Sequence, residues 1–132
     1  MNLISGINVT ASALNAEKVR MDLVAENIAN AHTTHDINGG AYQRKVVSFE
    51  SVLESTGKGV RISDISTDQS KGESIYSPTH PDADKDGMLQ MPNVNIATEM
   101  VDLMSSSRAY EANLAVVRNA KQLAMRALSI GK

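Results

Sequence analysis

LISGINVTASALNAEKVRMDLVAENIANAHT, residues Leu3 to Thr33, carries the strongest periodicity in the chain. Ile7, Leu14, Met21 and Ile28 fall seven residues apart, and Ile4, Ala11, Lys18 and Ala25 keep the same spacing offset by three. Two lines so related turn one face of a helix toward a partner helix, and only Lys18 interrupts them. Helix propensity is low at Gly6, Val9 and Thr10, with Asn2 the available cap, and rises from Ala11 onward. The closing run Asn27-Ile28-Ala29-Asn30-Ala31-His32-Thr33 replaces helix formers with asparagines, which tolerate the left-handed conformation and so end a helix. From Leu3 to Ala29 such a helix is about 40 Å long at roughly 1.5 Å per residue. A small globular core does not cover that length, so the helix needs a long partner.

The other end of the chain supplies one. A second helix is expected from about Ile96 to Ser129, capped by Asn95, with Glu99 and Asp102 near its positive end and Arg118, Lys121 and Arg126 toward its negative end. Ile96, Leu103, Tyr110, Val117 and Ala124 recur every seven residues, and Met100, Ser107, Leu114, Lys121 and Leu128 form a companion line. Val116, Leu123 and Ile130 widen the apolar face beyond what a two-stranded seam uses. The resulting expectation is a mainly α fold: two long terminal helices in an antiparallel, coiled-coil-like hairpin with a small β and loop insert between them. Residues 1–33 form the first part, 34–94 the insert and 95–132 the last.

Within the insert, Val46, Val47 and Phe49 make a short strand-like run between Tyr42 and Phe49, after the flexible Asn38-Gly39-Gly40. Val60, Ile62 and Ile65 alternate with polar residues, and Ser74-Ile75-Tyr76 is a third candidate strand; the stretch from Val52 to Glu73 carries no other signal. Six basic and nine acidic residues between Thr34 and Asn95 give a net charge of −3, a solvated and slightly acidic surface.

Composition removes several classes of function. Among 132 residues there are three tyrosines, one phenylalanine and no tryptophan, so aliphatic and methionine side chains must make the core. The formal charge of −2 and the lack of a basic stripe argue against nucleic acid. With no cysteine there is neither a disulfide nor a thiolate metal site. No basic residue precedes Lys18 and no apolar run approaches the roughly 18 residues of a membrane span, so a secretory signal and a membrane-inserted chain are both unexpected.

No catalytic set can be placed: no Ser-His-Asp arrangement, phosphate-cradling loop or paired carboxylates, and hence no small-molecule substrate. His32 and His35 are three residues apart without the cysteine or carboxylate that a zinc site needs. Asp82-Ala83-Asp84-Lys85-Asp86-Gly87 copies the first half of an EF-hand loop, but position 12 is Asn93 rather than Glu, and Pro78 and Pro81 bar an entering helix. A tight turn is the simpler reading, with Asp side chains accepting backbone N–H bonds and Gly87 at positive φ. No metal or other cofactor is expected.

Residues Val24 to Thr33 resemble the N-terminal signature of the bacterial flagellar basal-body rod and hook protein family, in which a long helix ends in Asn-Ile-Ala-Asn followed by Thr. Glu26 departs from the Asn common there. Gly39-Gly40-Ala41-Tyr42-Gln43-Arg44-Lys45 looks like a phrase of the proximal-rod members, with Ala41 and Gln43 where Pro and Arg are common. Asp86-Gly87 leading into Met91-Pro92-Asn93-Val94-Asn95, Glu99-Met100-Val101-Asp102, and Ser107 to Asn113 are similar to the same members.

The resemblance implies a structural subunit of the rod, the drive shaft that crosses the periplasm and passes motor torque to the hook. It also implies export by the flagellar type III apparatus, assembly with copies of itself and other rod proteins, and contact with basal-body ring and export-gate proteins. Subunit contacts are expected at Ile7, Leu14, Met21, Asn27, Ile28, Asn30, Met100, Leu103, Tyr110, Leu114, Val117 and Leu128. A calcium-binding module resting on Asp82, Asp84 and Asp86, or a cytosolic coiled-coil adaptor using the same helix faces, are the other readings.

Overall fold

The computed structural model describes residues 3–54 and 57–130. Asn2, expected as the first cap, and the side chain of Ile4 lie outside the described residues. The chain runs through helix α1 (Leu3–Ala29), strands β1 (Lys45–Glu54), β2 (Gly57–Thr67), β3 (Ser74–Tyr76) and β4 (Met88–Gln90), and helix α2 (Ile96–Ile130). Asn95 caps α2 as expected, its Oδ1 accepting the Thr98 N–H at 3.2 Å.

The expectation of a mainly α, coiled-coil-like hairpin is not met. Two antiparallel two-stranded sheets accompany helices of 27 and 35 residues, and α1 packs on β2 as well as on α2. β1 and β2 form a long ribbon, with Lys45 opposite Thr67 and Glu54 opposite Gly57. Its register shifts between Ser48 and Phe49, where the Ser63 hydroxyl bonds the Ser48 carbonyl at 3.1 Å. The ribbon lies against α1: the Ser12 hydroxyl accepts the Val60 N–H at 3.1 Å, and Gly59 sits so close that a Cβ there would meet Ser12 Oγ at 2.9 Å.

A helix with neighbours on two flanks buries a different line from a helix with one partner. Among the described residues of α1 and the turn after it, Ala16, Val24, Asn27 and Ala31 are buried, whereas Ala11, Lys18 and Ala25 of the expected companion line are exposed. In α2 the half-buried line is Leu103, Tyr110, Val117 and Ala124, while Ile96, Met100, Lys121 and Leu128 face outward. The buried positions of α2 are Glu99 and Ser106, seven residues apart on a polar line that apolar patterning passes over. Ser106 satisfies its hydroxyl on the Asp102 and Leu103 carbonyls at 2.8 and 3.0 Å, so it asks nothing of α1.

The helix end also differs from expectation. No non-glycine residue among those described has positive φ. Instead Asn30 folds its Nδ2 onto the Glu26 carbonyl at 2.9 Å and accepts the Thr33 hydroxyl at 3.1 Å on Oδ1, closing the last turn without a left-handed residue.

Candidate functional site

Two of the fully buried polar residues among those described, Asn27 and Glu99, meet at the base of the helix pair where the insert leaves it. Asn27 contributes from the last turn of α1, Glu99 and Asp102 from the first turns of α2, and Tyr42, Arg44 and Lys45 from the approach to β1. Glu99 is 0% exposed and Asn27 1%. Burial without bonds would be costly for both, and each is fully bonded.

Asn27 donates from Nδ2 to the Lys45 carbonyl at 2.9 Å and to Glu99 Oε2 at 3.0 Å. Its Oδ1 accepts the Tyr42 hydroxyl and the Lys45 N–H, each at 2.9 Å. Both amide hydrogens and both lone pairs are thereby used. Glu99 Oε1 accepts Arg44 Nε at 2.5 Å, and Arg44 Nη2 reaches Asp102 Oδ2 at 3.4 Å. Arg20 of α1 takes the other Asp102 oxygen at 3.3 Å.

The junction extends outward. The Arg44 N–H binds Asn93 Oδ1 at 2.7 Å, and Asn93 Nδ2 donates to the Asp68 and Ser70 carbonyls at 3.0 and 2.9 Å, tying the segment before α2 to the end of β2. Lys45 Nζ pairs with Glu26 Oε1 at 2.5 Å.

Two titrations are shifted nearby. Burial first, then the carboxylates of Glu26, Asp36 and Glu99, push the Tyr42 hydroxyl up to about 12. Hydrogen bonds from the Ser70 N–H and hydroxyl, with a smaller contribution from Arg44, hold the Asp68 carboxyl below its ordinary value. The arrangement leaves no charged atom of Glu99 or amide atom of Asn27 open to a substrate. Its chemistry is that of a joint.

Two of the residues expected at subunit contacts, Asn27 and Asn30, make side-chain bonds within their own chain. Asn27 is consumed in the junction, and Asn30 closes α1. Ile7, Leu14, Met21, Ile28, Leu103, Tyr110, Leu114 and Val117 are half-buried, whereas Met100 and Leu128 are 54% and 75% exposed. What patterning missed is that Asn27, Tyr42, Arg44, Asn93 and Glu99, which belong to separate signature phrases, converge. The signal available was their polarity at positions flanking helix ends and strands.

The acidic run is a turn. Asp84 Oδ1 accepts the N–H groups of Asp86 and Met88, both at 2.9 Å, and Gly87 has φ 74°. Asp82 accepts the Thr34 hydroxyl at 2.7 Å and lies 3.8 Å from the Nδ1 atoms of both His35 and His80.

An antiparallel helix pair joined by polar bonds to a β insert, with apolar side chains left outward on α2, has the character of a building block. Residues 7–34 match the family model described as flagella basal body rod protein, and residues 85–130 that described as flagellar basal body rod FlgEFG protein C-terminal. The chain is 44% identical to flagellar basal-body rod protein FlgC of Bacillus subtilis, each chain covered over its full length. It is 38% identical to FlgC of Borreliella burgdorferi, with 98% of each chain covered, and 34% identical to FlgC of Salmonella typhimurium over the whole of both. The chain belongs to the flagellar basal-body rod protein FlgC family, whose members are structural subunits of the rod.

Proposed function

We propose that this chain is a torque-transmitting subunit of the proximal rod, packing helix against helix with copies of itself and with other rod proteins as the shaft crosses the periplasm. Its work is mechanical and involves no turnover. Residues 1–33 and 95–132 build the shaft and residues 34–94 the insert, with ring and export-gate proteins as further neighbours and the flagellar type III apparatus as the route out.

The observation that carries this reading is an apolar surface left outward on α2. Met100, Val101, Met104, Val116, Leu123, Met125, Leu128 and Ile130 are each more than half exposed. Asn27 bonds Glu99 and Arg20 bonds Asp102, the pairing of an antiparallel alignment. Carried along both helices, that alignment brings the start of α1 to about residue 120 of α2, so the last turns extend beyond it. Other subunits would remove this surface from water at about 25 cal/mol per Å². Repetition that does not close on itself then builds a helical shaft.

The test is complementation. Leu123→Asp or Leu128→Asp changes an exposed side chain, so the free subunit keeps its helix content, while a charge in a packed seam blocks incorporation into basal bodies and abolishes swimming. Normal rods and motility in both variants would remove α2 as an assembly surface.

A further inference from the structure

We infer that the Asn27, Arg44 and Glu99 cluster is a register lock: it selects which turn of α2 faces α1 and the direction in which the ribbon leaves the pair, and it supplies uniqueness rather than stability. The seam beside it is built from Ala16, Val24, Leu103 and Ser106, small or aliphatic side chains that do not by themselves distinguish one turn from the next. A slip of α2 by one turn moves it about 5.4 Å.

Apolar contacts survive such a slip, but the polar ones do not. Glu99 would leave Arg44 and Asn27 at once, stranding a carboxylate, a guanidinium and an amide whose four bonding sites are all used in the observed arrangement. Because Tyr42 and Lys45 hold the same amide, the ribbon direction and the helix register are set together. Buried polar clusters replaced wholesale by apolar residues of similar volume commonly keep their stability, while a buried polar group is best attested as a choice of register.

The chain has no cysteine, so spin labels can be placed at will. Lys18→Cys with Ser105→Cys reports the helix register, and Ser63→Cys with Ser105→Cys the ribbon; all three positions are exposed. Distances are measured by double electron–electron resonance on the free subunit, so the outcome is separate from rod incorporation. In Asn27→Leu/Arg44→Met/Glu99→Leu, the urea midpoint stays at or above that of the parent while the label distances broaden or shift by about one helical turn.

Glu99→Gln is the second variant: its amide has one acceptor for two donors, Asn27 Nδ2 and Arg44 Nε, so in either orientation one N–H is set against another. It should keep the far-ultraviolet circular dichroism of the parent and broaden the same distances. A single, unshifted distribution in either variant overturns the lock. Loss of helix in either overturns it too, because the cluster would then be a source of stability.

Discussion

Arg44 joins the approach to β1 to α2 and to the segment before it. Its guanidinium contacts Glu99 and Asp102 on α2 while its N–H holds Asn93. Arg44→Met alone would leave the Glu99 carboxylate buried and unpaired, and should cost about 3 kcal/mol in urea unfolding, in contrast to the near-neutral triple apolar replacement. Tyr42 gives the junction a signature in pH. Its hydroxyl is raised from 10.0 to about 12 in the folded chain. Below pH 10 both states hold the proton; between 10 and 12 the unfolded chain releases it first, so stability falls as pH rises through that interval. Tyr42→Phe should flatten this alkaline slope in urea unfolding followed across it, and an unchanged slope would assign the loss to other groups.

The helices and turns differ in how much their own sequence dictates. The bounds of α2 follow from Asn95 at one end and from long apolar periodicity, and the turn before β4 follows from Asp84 and Gly87, whose bonds are local. Changing Asp82, Asp84 and Asp86 together to Asn keeps side-chain acceptors and removes charge, so thermal unfolding should move by less than about 1 kcal/mol and motility should persist. Loss of motility that tracked a lost calcium affinity would instead favour an ion site. The strands are less legible. β4 is three residues whose pairing to Ser74–Tyr76 depends on a distant partner, and β2 reads as a strand only over part of its eleven residues.

Burial thins toward the end of α2. Val24, Asn27, Ala31, Tyr42 and Glu99 lie at or beside the junction, Ser106 is about two turns along α2 and Ala16 about three turns along α1, and no described residue of α2 beyond Ser106 is fully buried. The last turns of α2 hence have little to hold them in a free subunit, and helix formation without packing is marginal. Hydrogen exchange on a dilute monomer should show protection at Val24 to Ala29 and at Leu103 to Ser106, with fast exchange over Ala120 to Ile130. Assembly would then protect that last segment. Equal protection along both helices in a demonstrably monomeric sample would show that the whole hairpin is folded before it meets a neighbour.

Local chemistry written into consecutive residues sufficed for the two helices, the cap at Asn95, the Asp-Gly turn and the signature phrases that point to the rod family. These depend on neighbours a few residues away in the chain. The buried line of α1 did not follow from its seven-residue spacing, because β2 occupies a second flank and shifts burial to Ala16, Val24 and Asn27. Nor did the roles of Asn27 and Glu99, read as an interface residue and a charge at a helix end. Asn27 and Glu99 lie 72 positions apart in the chain, and only folding places a carboxylate, a guanidinium and an amide within bonding distance, with the carboxylate and the amide shut off from water.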